Sequence, residues 1–313
     1  MPRTNKLPQV EQKPLSDSEP DIDPQVSGSL PLLVAQTSLD EELVTPEFTT
    51  PVTSFALLEN NSYSDSVDKQ LTYIHFWGGE RGGAGKSTGS RVMLHFLLEV
   101  VKDSTFYLVE TDRSRPDVKT YYGELLGHRC IDAFFSEAEF KSNSADIIFE
   151  KALQTNVLVN LPAQIAVPFD EWIERNCLAE MTAEKNIKMV MWFVCSGEED
   201  SVDLFFQSLK KYGGWMQHVF VRNEGVCPDE GVWQRIAQLP KMKQAQEQYH
   251  FPVINLPKFY MADRDALKTN PMPFEQALKR NDIFTELGKK RTHKFLDKAA
   301  QEFHKTGLFD VNY

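Results

Sequence analysis

Tyr73-Ile74-His75-Phe76-Trp77 runs straight into Gly78-Gly79-Glu80-Arg81-Gly82-Gly83-Ala84-Gly85-Lys86-Ser87-Thr88, and helical spacing of apolar residues follows over Ser87–Val101. A short run of β-formers, a glycine-dense turn and an amphipathic segment predict a strand, a loop and a helix in immediate succession. That unit constrains the fold more than any other part of the chain. Glycines let backbone N–H groups close around phosphate oxygens, and the start of the helix adds partial positive charge. In this setting Lys86 is expected to reach the β- and γ-phosphates of a nucleotide, and the Ser87 hydroxyl to ligate Mg²⁺. The commonest phosphate-binding loop has Gly five residues before the Gly of Gly-Lys-Ser; here that position holds Glu80.

After residue 69 the same alternation continues. Apolar runs recur at Tyr73–Trp77, Thr105–Val109, Val157–Leu161, Met189–Cys195, His218–Val221 and Val253–Leu256. Segments of helical spacing lie between them, among them Phe169–Met181, Val202–Tyr212 and Val232–Tyr249. Strands alternating with helices predict an α/β fold with a mostly parallel sheet flanked by helices. In such sheets ligands sit at the carboxyl ends of the strands, where each motif below falls.

Residues 1–68 are different in kind. They carry eight of the 17 prolines, with 12 acidic side chains against three basic ones, so they hold most of the chain's net charge of −11. This Pro/Ser/Thr-rich, acidic composition cannot bury enough apolar surface to offset chain entropy, and the segment is expected to be a disordered extension. It lacks the basic start and apolar core of a signal peptide. No stretch approaches the roughly 18 consecutive apolar residues of a membrane span. The four cysteines, Cys130, Cys177, Cys195 and Cys227, show no paired metal-ligand spacing and read as reduced thiols of a cytoplasmic protein. Residues 69–313 are expected to form the nucleotide-binding domain, C-terminal helices included.

Arg81-Gly82-Gly83-Ala84-Gly85-Lys86-Ser87-Thr88 resembles the deviant Walker A motif of the ParA/MinD family of P-loop ATPases, whose usual form is KGGxGK(S/T)(S/T). The resemblance extends over most of 71–260 in order and spacing. It implies that Gly82, Gly83, Ala84, Gly85, Lys86, Ser87 and Thr88 cradle ATP with Mg²⁺. It also implies an ATP-dependent homodimer in which the leading residue reaches the partner's phosphates. Arg81 stands where the family has lysine. Arginine keeps the charge and can bind phosphate bidentately, but its planar head is larger and stiffer.

Glu110 and Asp112 close the run Phe106-Tyr107-Leu108-Val109-Glu110-Thr111-Asp112 at positions i and i+2. Strand alternation would put both carboxylates on one face, toward a shared magnesium–water cluster. The pair resembles the family's Asp-x-Asp motif, which implies that Asp112 organises the attacking water with Glu110 in support. Val157-Leu158-Val159-Asn160-Leu161-Pro162-Ala163-Gln164 resembles the Walker B strand, except that Asn160 replaces the family's Asp. Asparagine can hydrogen-bond a magnesium-bound water but brings no negative charge, so nucleotide binding is more secure than hydrolysis. By the same resemblance Asn223, after Val219-Phe220-Val221-Arg222, is expected to read the adenine edge, and Pro257 to form the far wall of the base pocket.

The stretch Leu287-Gly288-Lys289-Lys290-Arg291-Thr292-His293-Lys294-Phe295 enters a final helix with Leu296, Ala299 and Phe303 on one side. Its basic residues read first as a soluble face and second as a nonspecific DNA contact. Asp297 and Glu302 argue against a membrane anchor. Two functional readings follow. The first is an ATP-driven switch with slow hydrolysis that positions or segregates DNA or a cytoplasmic assembly through an unidentified protein partner. The second, favoured by Asn160, is an ATP-bound scaffold without hydrolysis. A metabolic P-loop enzyme fits less well because a cation at position 81 is a feature of switches. Val109-Glu110-Thr111-Asp112-Arg113-Ser114-Arg115-Pro116-Asp117-Val118 and Val157–Gln164 further resemble the TraL-like proteins of conjugative and mobilisable plasmids.

Overall fold

The computed structural model describes residues 70–309; the extension expected over 1–68 lies outside the described residues. The chain begins with β1 (Thr72–Gly78), α1 (Lys86–His95), β2 (Tyr107–Glu110), α2 (Asp117–Leu126), β3 (Cys130–Asp132), α3 (Asp146–Ala152) and β4 (Val157–Asn160). It continues through α4 (Ala166–Arg175), α5 (Leu178–Lys185), β5 (Ile187–Cys195), α6 (Glu199–Tyr212), β6 (Gln217–Asn223), α7 (Glu230–Gln238) and α8 (Pro240–Tyr249). It closes with β7 (Val253–Leu256), α9 (Met261–Thr269), α10 (Phe274–Leu278) and α11 (Glu286–His304).

The strands form one seven-stranded sheet in the order β3-β2-β4-β1-β5-β6-β7, and every neighbouring pair is parallel. All seven residues of β1 are buried, as expected of a central strand covered on both faces. Alternation divides its side chains. Tyr73 and Trp77 join the core beneath α1, α2, α10 and α11, while Ile74 and Phe76 join the core beneath α3, α4, α6 and α8. On the first face Trp77 stacks on Trp192 with centroids 5.5 Å apart and planes 11° apart. Phe303 of α11 meets both indoles edge-on. Aromatic side chains so buried hold about 3–5 kcal/mol each, judged by truncation, so this seam fixes α11 to the sheet.

The α/β class and the parallel sheet match the sequence expectation; some boundaries do not. The sequence suggests six strands, and the seventh, β3, is a three-residue edge strand. The helix expected over Ser87–Val101 is α-helical only to His95 and continues as a π-type turn over Phe96–Val101, ended by Lys102 at φ 59°. The helix expected over Phe169–Met181 breaks at Cys177, whose φ is 47°. The one expected over Val232–Tyr249 breaks before Pro240, which opens α8; proline there removes a donor and disfavours helix at the residue before it.

Candidate phosphate-binding site

Because the strands are parallel, the loops after β1, β2, β4, β6 and β7 gather along one edge of the sheet. The loop after β1 ends at Gly85, which precedes α1 with φ 106° and ψ 14°. Such a left-handed conformation favours glycine, and a Cβ here would also lie 2.2 Å from Nδ2 of Asn223. Gly83 is likewise left-handed, at φ 76°, and open space surrounds the Cβ positions of Gly82 and Gly83. The first turn of α1 has no side-chain cap, so its N–H groups are left for a ligand.

Lys86 is mostly buried, and its Nζ donates to the Arg81 carbonyl at 3.0 Å. Burial pushes the pKa of its ammonium down, opposed by the charges of Glu80 and Asp112. Gly82, Gly83, Gly85, Lys86, Ser87, Thr88, Asp112 and the Leu161–Gln164 segment line a cleft of about 900 Å³. A second hollow of about 340 Å³ shares Gly83, Gly85 and Thr88 with it and is lined by Asn223, Leu256 and Pro257. The two adjoin at the loop, and together they make a groove of two parts. Asn223 ties the smaller hollow to the loop: Nδ2 donates to the Ala84 carbonyl at 2.5 Å, and Oδ1 accepts from the Gly225 N–H at 2.9 Å.

The two expected carboxylates part company. β2 ends at Glu110, so strand alternation no longer governs Asp112. Asp112 lines the cleft, where its Oδ1 accepts from the Ser114 N–H, the Ser114 hydroxyl and the Arg115 N–H. Glu110 is buried behind it. One of its oxygens accepts from Asn160 Nδ2 at 2.8 Å and from the Asp112 N–H at 3.1 Å. The other accepts from the Val118 and Lys119 N–H groups at the start of α2. Burial pushes its pKa up, and these four donors pull it back toward the carboxylate.

Asn160, fully buried, is the strand partner of Glu110 across β2 and β4. Its Oδ1 accepts from the Ser90 hydroxyl at 3.0 Å. Glu110 and Asn160, expected to reach a metal through water, thus turn their polar atoms on each other and on α1 and α2. Ser87 and Asp112 are the two expected metal-side residues that line the cleft. Among the described residues no cluster of three or more His, Cys, Asp or Glu could hold a metal ion. A hydroxyl and one carboxylate suit a hydrated magnesium carried by phosphates, since that ion keeps most of its waters.

Arg81 sits at the outer rim of the loop. Its guanidinium binds both oxygens of Asp200, at 2.6 and 2.9 Å, and also pairs with Glu198, both at the start of α6. The arginine holds the Asp200 carboxyl below the usual carboxylate range. Groups that sequence reasoning did not single out also line the groove, among them Gln164, Lys258, Met261, Arg264 and Lys268. Gln164 carries a positive φ of 55°, uncommon for a residue with a side chain. No sequence signal marks Arg264 or Lys268, because packing alone brings α9 to the groove.

On α11, Arg291 is held by Asp263 through bonds of 2.7 and 2.8 Å. Lys289 pairs with Glu286 and Asn281. Lys290, Lys294 and Lys298 are exposed along one ridge. Among the described residues no helix is long and apolar enough to cross a membrane.

No family model matches the chain, and no curated protein does. Among solved structures it is similar to a plasmid partition protein from Borrelia burgdorferi, at 10% sequence identity and a TM-score of 0.41, over 75% of this chain and 99% of that one. With agreement at that level, the chemistry of this groove rests on its own residues.

Proposed function

We propose that this chain is an ATP-binding molecular switch of the ParA/MinD kind, acting in plasmid maintenance or transfer. The observation that carries the reading is the pair of adjoining hollows at the glycine loop: one with the uncapped helix start and Lys86, the other with Asn223 and Pro257. Its residues have distinct tasks. The loop N–H groups and Lys86 bind the phosphates, Asn223 and Pro257 hold the base, and Ser87 with Asp112 keeps magnesium and its waters in place. Magnesium, when bound, neutralises charge on the terminal phosphates. Closure into a dimer requires Arg81 to exchange Asp200 and Glu198 for a partner's phosphate. Lys290, Lys294 and Lys298 offer a ridge for DNA phosphates, a contact that weakens steeply with salt.

Lys86→Ala removes the buried cation of the loop and is expected to lower ATP affinity at least about tenfold by calorimetry. Unchanged affinity would reject the site. A second reading, an ATP-bound scaffold without hydrolysis, is favoured by Asn160, which is neutral and engaged with Glu110 and Ser90. Steady-state hydrolysis with and without DNA separates the two: stimulated turnover supports the switch, and bound ATP without turnover supports the scaffold.

A further inference from the structure

Helix α9 is fixed by its buried side. Asp263, 4% exposed, accepts both bonds from Arg291 of α11, and Leu267 packs in the core with the residues of α10 and α11. A carboxylate paired in this way and an apolar anchor one turn further on leave α9 little freedom to rotate. The orientation of its remaining faces is therefore set.

Met261, Arg264 and Lys268 are spaced i, i+3, i+7 and so share one stripe of the helix. All three are exposed, and all three line the groove. Met261 and Arg264 border the hollow that holds Asn223 and Pro257. Lys268 borders the cleft that holds Lys86, Ser87 and Asp112. From Met261 to Lys268 the axis advances about 10 Å, so the helix runs from the hollow with Asn223 and Pro257 toward the cleft with Lys86 and Ser87. The nearest carboxylate to Arg264 is the adjacent Asp265, at 3.6 Å between exposed side chains, which is a weak tie.

We propose that α9 is a second, cationic wall of the nucleotide groove, with Arg264 over the sugar and first phosphate and Lys268 over the terminal phosphate. Discrimination of triphosphate from diphosphate then has a source within the single chain, separate from any residue supplied across a dimer. This rests on the ATP-binding reading given above and adds to it the residues that read phosphate number.

The test is calorimetric titration of the full chain with ATP, ADP and AMP in magnesium buffer. Lys268→Ala is expected to weaken ATP about fivefold while changing ADP less than about twofold, an effect typical of one partly solvated charge pair. Lys268→Arg restores most of the preference for ATP. Arg264→Ala weakens all three nucleotides alike. Both side chains are exposed, and a melting transition coincident with the parent's establishes that the variants are folded. If Lys86→Ala abolishes binding while Lys268→Ala keeps the parental ratio of ATP to ADP affinity, the α9 proposal is overturned and the nucleotide site stands. A parent chain that binds none of the three nucleotides overturns both.

Discussion

Asn160 and Glu110 face each other from adjacent strands, and the amide donates to the carboxylate at 2.8 Å. Asn160→Asp would replace that donor with a second carboxylate inside a buried site. One of the two groups must then hold a proton, which raises the pair's pKa above the unfolded value near 4. A carboxyl whose folded pKa is raised contributes stability at low pH and loses it as pH rises through the folded value. The variant is expected to be less stable than the parent by about 1–3 kcal/mol at pH 8, with the gap narrowing toward pH 5. Denaturant unfolding at both pH values measures it, and equal gaps would show that the two groups do not meet. The sequence displayed both residues, each closing a run of β-formers. It did not display their pairing, which depends on the register of β2 against β4. Strand alternation placed Asp112 beside Glu110 in the sequence; in the structure it lies beyond β2, and the turn after the strand brings it to the cleft.

At the level of the element, α1 carries a glycine whose purpose is packing. A Cβ on Gly89 would lie 2.0 Å from the Trp77 ring, and that ring cannot retreat because Trp192 is stacked behind it. Alanine would gain about 1 kcal/mol of helix propensity, but overpacking of this kind costs about 1–3 kcal/mol and displaces the start of α1. Gly89→Ala is therefore expected to lower the urea midpoint; a raised midpoint would mean that α1 stands off the sheet. The strand–loop–helix unit that contains this glycine was plain in the sequence because its signals are local. The breaks at Cys177 and β3 were not, since a single left-handed residue and a three-residue edge strand carry no period. Pro240 was a signal in plain view, overridden by the helical spacing on either side. The position of α9 beside the groove depends on Asp263 and Arg291, 28 residues apart in sequence, a pairing that no local pattern announces.

The molecule as a whole has an acid limb written into its histidines. Burial pushes His75 down to about 3, and His95 and His218 down to about 4 each. His75 uses Nδ1 to accept from the Trp192 indole at 3.1 Å, a bond that requires the unprotonated nitrogen. Unfolded histidines bind protons near pH 6.5, so between that value and about 4 the unfolded chain takes up protons that the folded one refuses. The stability these groups contribute is complete above about pH 6.5 and falls as pH drops, by up to about 1.4 kcal/mol per unit for each. Glu80 and Glu110, raised by burial, act in the opposite sense as pH rises above their unfolded values. Unfolding free energies at pH 5, 6 and 7 are expected to rise in that order, and a flat profile would count against neutral, buried imidazoles. The same interior has an optical side. Trp77 is bonded through its indole nitrogen to the Met93 sulfur at 3.2 Å, lies nearly parallel to Trp192, and is joined by one peptide bond to Gly78, where the loop departs from β1. Two indoles in that arrangement share their electronic excitation, and their joint signal depends on the angle between them. A change in the loop that turns Trp77 is thus carried into the ultraviolet circular dichroism of the unlabelled protein, which makes the chain its own gauge of the state of its loop.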